Sequence, residues 1–147
     1  MIRTESEYRE TLKRIEQAED AFGEEERKLA SQGLTREQIK RMLDPSRSFH
    51  AQIKSEIKYY EKLKEGKFED LHNLQDLGQL LIAFRIASGL SQRDLADRLG
   101  VHESQVSRDE RNEYHGVTVD RVNRIIETLG VQMTTRVDKV PVFAKSA

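Results

Sequence analysis

The stretch SQRDLADRLGVHESQVSRDE, from Ser91 to Glu110, constrains the fold more than any other part of the chain. Leu95 and Leu99 lie four residues apart, so a helix turns both to the same side. The small side chain of Ala96 lets a second helix approach closely. Because glycine accepts a positive φ angle, Gly100 suits a tight turn between two helices. The spacing therefore predicts two short helices, over about residues 92–99 and 103–111, that cross steeply, with Val101 and Val106 filling the corner.

Apolar periodicity predicts further helices on both sides of this pair. The most apolar part of the chain, residues 71–89, predicts one buried helix. Thr118 is placed to cap a helix over about residues 119–129, and its inward face is expected to include Val119. The segment VQMTTRV, residues 131–137, alternates apolar and polar residues and weakly predicts a short strand. Such a strand pairs with its copy in a dimer; the alternative is an irregular tail.

The first 70 residues predict a separate, hairpin-like helical unit. A helix over residues 4–31 carries an apolar residue at every seventh position, from Tyr8 to Leu29. We expect this stripe to pack on the following helices, with a coiled coil as the alternative. The capping box that begins at Thr35 starts a short helix, which Pro45 is expected to end. A third helix is predicted from about residue 49 to residue 65.

Composition limits the classes of function. The net charge is −1, so binding to nucleic acid has to come from locally arranged arginines rather than from bulk charge. The chain has no Cys, and its four His lack partners at metal-binding spacing, so no metal site, cofactor or enzyme activity is expected. No apolar run is long enough to span a membrane, and a cytoplasmic protein is expected.

The helix pair, together with the apolar helix before it and the capped helix after it, resembles the helix-turn-helix of phage-repressor-like (Xre-type) DNA-binding domains. The resemblance covers about residues 74–130 and is closest in GLSQRDLADRLGV. It implies a lambda-repressor-like domain of five short helices. In that family the second helix of the pair, the recognition helix, enters the major groove of DNA with its N-terminal end.

The resemblance also implies roles for individual residues. Arg108 can bind a guanine with two hydrogen bonds, Glu103 can accept one from a cytosine amine, and Gln92 would contact a phosphate. Arg85 and Glu110 match a pair that ties the first helix of the domain to the recognition helix. The full set of expected DNA contacts is Gln92, His102, Glu103, Ser104, Gln105, Ser107, Arg108 and Arg111. The residues expected to maintain the helix-turn-helix are Arg85, Leu95, Ala96, Gly100, Val106 and Glu110.

Three features depart from the family pattern. Asp109 stands where the family has an apolar residue, and Tyr114 or Val117 is expected to fill the resulting gap. The segment RNEYHGVT replaces a shorter Asn-Gly turn. Glu103 and Asp109 place negative charge near DNA, which should lower non-specific affinity.

Two N-terminal segments, ESEYRETLKRIEQ and QIKSEIKYYEKLKEG, are similar to the opening helices of HigA-type antitoxins. Those proteins bind their own operator and a toxin that is an mRNA-cutting ribonuclease. Because Tyr59 and Tyr60 are adjacent on a helix, one should face the core and the other should be available to a partner.

The sequence as a whole predicts an all-α protein of three parts. Residues 1–70 form a helical interaction or dimerisation region, 71–131 a helix-turn-helix DNA-binding domain, and 132–147 a tail with the weakly predicted strand. The expected function is sequence-specific regulation of transcription by a dimeric autorepressor, which is either the antitoxin of a toxin–antitoxin pair or a regulator without a toxin. The expected partners are double-stranded DNA, a second copy and a cognate toxin, with no membrane. The alternative is a protein-interaction module that neutralises a partner, with DNA binding secondary.

Overall fold

A computed structural model describes residues 1–141, whose regular structure consists of six α-helices. The helices are α1 (Glu5–Ser31), α2 (Arg36–Lys64), α3 (Leu77–Ala87), α4 (Gln92–Leu99), α5 (Glu103–Arg111) and α6 (Val119–Leu129). The described residues contain no strand, so the all-α prediction is confirmed and segment 131–137 is irregular. The last part of the predicted tail, residues 142–147, lies outside the described residues. None of the helices in residues 1–141 combines the length and the apolar character that crossing a membrane requires.

Helix α1 begins with a capping box, as the acidic and hydroxyl residues at its start favour. The Thr4 side chain accepts a hydrogen bond from the Glu7 backbone N–H, and the Glu7 carboxylate accepts one from the Thr4 backbone N–H. The helix continues through Gly23 without a break. Ile15 and Leu29 of the heptad stripe are buried, so the stripe packs on α2.

Helix α2 is one continuous helix, which makes the prediction of two helices separated at Pro45 wrong. Pro45 lies inside the helix on its exposed side, where water can hydrate the carbonyl that loses its hydrogen-bond donor. The buried stripe of α2 continues at helical spacing past Pro45, from Leu43 to Ile57. Packing of that stripe on α1 offsets the missing hydrogen bond and keeps the two halves of α2 in one helix.

The two long helices form a hairpin that is stabilised by an apolar cluster and by ion pairs between the helices. A small apolar cluster at the closed end joins Leu29 of α1 to residues of α2. Ion pairs from Arg47 to Glu26 and from Lys54 to Glu19 connect the helices along one face. The hairpin is therefore fixed by both burial and surface charge.

Helix α3 begins later than the sequence predicts, because residues 73–76 form turns and residues 71 and 72 are not helical. Asn73, Leu74 and Asp76 have φ angles of 52°, 60° and 59°, in the left-handed region that ends or precedes helices. The apolar pattern of this segment resembles a helix, but its Asn and Asp residues tolerate left-handed geometry. The prediction of a single helix over 71–89 is therefore wrong in its first six residues.

Helices α3 to α6 fold into one compact bundle. The domain contains four helices between residues 74 and 130, whereas the resemblance implies five. Ile125 is fully buried in α6, while Val119 is 73% exposed, so Val119 does not belong to the inward face as expected. The core of the bundle is continuous with the N-terminal hairpin, since Tyr60 and Leu63 of α2 belong to the same buried cluster.

Candidate nucleic-acid interface

Helices α4 and α5 form the tight pair that the spacing predicts. Ser91 caps α4, and its hydroxyl and backbone N–H donate hydrogen bonds of 2.6 and 2.8 Å to the Asp94 carboxylate. These bonds hold the pKa of Asp94 below its usual value. Leu95 and Ala96 are 0% exposed, so the inner side of α4 accepts no larger residue at position 96. Gly100 ends α4 with a φ angle of 68°.

The N-terminal end of α5 is capped by a residue that was predicted to contact DNA. The imidazole Nδ1 of His102 accepts a hydrogen bond from the Ser104 backbone N–H at 3.2 Å and lies 2.9 Å from the Ser104 hydroxyl. His102 is exposed, so its Nε2 edge faces outward while Nδ1 orders the helix start. The capping role follows from the helix boundary, which the sequence located correctly at residue 103.

The remaining expected DNA contacts lie mostly on the outer side of α5. Glu103, Gln105, Arg108 and Arg111 are exposed, and Ser107 is half-buried. Ser104, Arg108 and Arg111 are spaced as i, i+4 and i+7, so one face of the helix presents all three. The opposite side of α5 carries Val106 and Glu110, both 0% exposed.

A buried polar network fixes that inner side. Arg85 of α3 donates from Nε and Nη2 to the Glu110 carboxylate, at 2.5 and 2.7 Å. Gln92 donates from Nε2 to the same carboxylate at 2.8 Å. The Gln92 side chain is thus held against Glu110 rather than extended from the surface, although its position at the start of α4 leaves its backbone N–H at a helix N-terminus.

Asp109 is neutralised within the protein. Its carboxylate accepts a hydrogen bond of 2.5 Å from Nη2 of Arg121 in α6. The gap left by the missing apolar residue is filled by Tyr114, which is 5% exposed, while Val117 is half-buried at its edge. Burial of the Tyr114 phenol raises its pKa. Of the two negative charges expected on α5, that of Asp109 is paired with Arg121, and only that of Glu103 remains at the exposed surface.

Several residues that support the interface were missed by the sequence argument. Arg124 of α6 donates to the Leu99 carbonyl at 2.8 Å and so supplies a hydrogen-bond donor to a carbonyl in the last turn of α4. A Cβ atom at Gly78 would lie 1.7 Å from the Glu113 carbonyl oxygen, so this glycine allows α3 to touch the turn after α5. A glycine early in an apolar helix is the signal that could have identified this contact. Within residues 1–141, no group of three or more His, Asp and Glu side chains is placed to hold a metal ion.

Residues 76–138 match the family model of a helix-turn-helix domain. The helix-turn-helix domain includes α3 to α6 and the first part of the C-terminal segment, and its presence supports DNA binding. Comparison of the chain with curated proteins and with solved structures gave no significant match.

Proposed function

We propose that this protein is a sequence-specific DNA-binding regulator of transcription that acts by binding rather than by catalysis. The observation that carries the proposal is the matched helix-turn-helix domain, in which α5 turns a polar face outward. In this proposal α5 enters the major groove, and Arg108 and Ser104 contact base edges. His102, Glu103, Gln105, Ser107 and Arg111 lie on or next to the same surface, with Gln92 near a phosphate.

Local charge supports this assignment although the net charge of the chain is only −1. Arg108 and Arg111 on α5 are exposed and form no ion pair within residues 1–141. Glu110 is buried and Asp109 is paired with Arg121, so α5 presents its two arginines with only Glu103 opposing them. The exposed face of α5 is therefore locally basic, as binding to a phosphate backbone requires.

We further propose that the protein acts as a dimer and represses its own gene from the cytoplasm of a bacterial cell. One helix-turn-helix contacts only a few base pairs, whereas a dimer places two recognition helices in major grooves about one helical turn apart. Two surfaces compete for the dimer role. One is the N-terminal hairpin, and the other is the exposed segment 132–141, in which Met133, Val137 and Val140 are 41%, 74% and 74% exposed.

The test is titration of the purified full chain against DNA from directly upstream of its own coding region. Random-sequence DNA of the same length is the competitor, and the titration is repeated at several salt concentrations. Specific regulation predicts a saturable complex that resists the competitor, and the salt slope counts the phosphate contacts. Equal and weak binding to both DNAs would contradict the proposal. An Arg36→Ala variant loses a positive charge on the exposed start of α2, outside the proposed interface. It serves as the control and is expected to bind both DNAs as the unaltered protein does.

A second candidate function, neutralisation of a toxin partner, is favoured by a groove in the hairpin. The groove has a volume of about 870 Å³ and lies between α1 and α2. Its apolar walls include Ile15, Phe22 and Ile53, and Phe49 at its edge is 62% exposed. Exposed aromatic residues beside an apolar groove are typical of protein-binding surfaces. Tyr60 is buried and Tyr59 is 37% exposed, which adds a further aromatic group to the surface of the hairpin.

The test of this second candidate is co-expression with the product of the neighbouring reading frame, followed by co-purification through a C-terminal tag. An antitoxin is expected to form a stoichiometric complex, and Phe49→Asp is expected to disrupt it while leaving binding to operator DNA unchanged. A complex that survives Phe49→Asp would place the partner on another surface. A neighbouring product that neither binds nor is toxic would contradict the antitoxin function.

A further inference from the structure

The first three residues of the chain lie against the DNA-binding domain, although the first helix they lead into belongs to the hairpin. Ile2 is 5% exposed and belongs to the same buried cluster as Leu81 of α3 and Val106 of α5. The residue is thus part of the core that supports the recognition helix. Ile2 precedes the first helix and belongs to no apolar repeat, so periodicity in the sequence does not predict its burial.

Arg3 contacts two groups that hold α5. Its backbone carbonyl accepts a hydrogen bond of 2.9 Å from Nη2 of Arg85, and the same nitrogen donates to Glu110. Its own Nη2 lies 3.6 Å from the carboxylate of Glu113, in the turn that follows α5. One residue therefore reaches both the ion pair on the inner side of the recognition helix and the turn at its C-terminal end.

The hydrogen bonds of the Arg85 guanidinium show why this contact matters. Its Nε donates to Glu110, its Nη1 donates to the Leu90 carbonyl at 2.7 Å, and its Nη2 is shared between Glu110 and Arg3. The Arg85 side chain is 3% exposed, so water does not readily replace a partner that is lost. Displacing Arg3 would leave a buried donor of Nη2 without its partner and remove one of the four hydrogen bonds that orient the guanidinium towards Glu110.

The hairpin determines where Arg3 lies. The Arg3 backbone N–H donates to the Glu7 carboxylate at 2.8 Å, at the start of α1. The Nε of Arg3 is buried and has no hydrogen-bond partner among the described residues. The position of Arg3 is therefore fixed by its backbone hydrogen bonds to Glu7 and Arg85 and by its contact with Glu113. A movement of α1 would thus be passed to Arg85 through the backbone of Thr4 and Arg3.

We infer that Ile2 and Arg3 are positioning residues for the recognition helix, so that the N-terminal hairpin controls how α5 is presented to DNA. The inference rests on the proposed DNA-binding function for its consequence, but the coupling itself is a property of the free protein. A ligand that displaced the hairpin would loosen α5 without touching it. Binding of a partner and binding of DNA are linked in this arrangement through Arg3 and Arg85.

The coupling is tested first without DNA, by amide hydrogen exchange of the full chain carrying its tag at the C-terminus. Ile2→Asp, which expels the segment from the core, is compared with Ile2→Val, which keeps it buried. We expect Ile2→Asp to speed exchange in α5 by roughly tenfold or more relative to α6, with Ile2→Val close to the unaltered protein. Equal acceleration in all helices, or none in α5, would overturn the inference.

The consequence for DNA is tested with Arg3→Ala, which removes the side-chain contact to Glu113 and keeps the backbone carbonyl that accepts from Arg85, and with the charge-conserving Arg3→Lys. Loss of positioning should weaken binding to the specific site by roughly 3- to 10-fold and leave binding to random DNA unchanged, and Arg3→Lys should restore most of it. A merely structural role would lower both affinities by the same unfolded fraction, and that result would overturn the inference. If the unaltered protein binds no DNA specifically, the proposed function fails, and the exchange experiment still decides the coupling.

Discussion

Arg85 and Glu110 form an ion pair whose two side chains are 3% and 0% exposed, joined by hydrogen bonds of 2.5 and 2.7 Å. The pair lies where α3 meets the inner side of α5. That side of α5 has only one buried apolar residue, Val106. The charged pair and its hydrogen bonds therefore attach α5 to the bundle, as apolar contacts attach the other helices. The orientation of α5 depends on both Arg85 and Glu110.

Removing either partner should destabilise the protein strongly. Glu110→Ala leaves the Arg85 charge buried without a counter-ion, and we expect a loss of about 3–5 kcal/mol in the free energy of unfolding. Arg85→Ala should have a similar effect. The double variant should lose clearly less than the sum of the two, because no uncompensated charge remains. Urea unfolding followed by circular dichroism measures all three, and additive losses would mean that the pair is not coupled.

Arg108→Ala tests the assignment of the recognition helix. We expect a loss of about 1–3 kcal/mol in binding to the specific site and a relaxed preference at one base pair. Arg98→Ala, at an exposed position on α4, is the comparison: a phosphate contact there would weaken binding to all sequences equally and lower the salt slope. Competition against a set of single-base variants distinguishes these outcomes. An unchanged affinity of Arg108→Ala would show that another part of the surface contacts the bases.

The helix pair was predictable to the residue because its signals are local. Ser91, Gly100 and Thr118 cap or end helices through their own backbone and side-chain chemistry, and they fix both ends of α4 and the start of α6. The same kind of local rule failed at Pro45, where packing of a buried stripe along 29 residues of α2 outweighs the loss of one hydrogen bond. At Pro45 the outcome depends on tertiary contacts between α1 and α2, which a local sequence pattern does not contain.

The contacts that support the candidate interface from a distance could not be predicted from spacing. Gly78 is required by its approach to the Glu113 carbonyl, 35 residues later in the chain. Arg3 reaches Arg85 across 82 positions, and no periodicity relates the two. The pairing of Asp109 with Arg121 also depends on how α6 crosses α5. Such contacts exist only once the helices are packed, so a single sequence leaves them undetermined.

Gly78→Ala and Gly100→Ala should differ in effect because the two glycines are needed for different reasons. At Gly100 no atom lies within 4 Å of an added Cβ, so only the positive φ angle is unfavourable, at about 1–2 kcal/mol. At Gly78 the added atom would overlap the backbone of Glu113, and we expect a loss of about 3 kcal/mol or more. Thermal unfolding of both variants checks the order. Equal losses would show that the turn after α5 moves freely.

Arg121→Ala and Asp109→Asn separate stability from charge at the recognition helix. Both side chains are 28% exposed, so each change should cost at most about 1 kcal/mol of stability. Their effects on DNA should be opposite. Arg121→Ala leaves an unpaired carboxylate on α5 and should weaken binding at low salt, whereas Asp109→Asn removes the charge and should strengthen non-specific binding. Changes in the same direction for both variants would contradict a role for this charge.

The tyrosines predict how stability changes at alkaline pH. Burial, together with the nearby Glu5 carboxylate, raises the pKa of Tyr60 to about 12 from its ordinary value of 10.0, and burial raises that of Tyr114 as well. A group whose pKa is higher in the folded state stabilises that state fully below the unfolded pKa. This contribution disappears as the pH rises through the folded value. Stability should therefore fall between about pH 10 and pH 12, and Tyr60→Phe should make the fall less steep. Absorbance at the tyrosinate band, recorded for native and urea-unfolded protein, measures both pKa values, and native tyrosines that all titrate at the unfolded pH would refute the burial of Tyr60 and Tyr114.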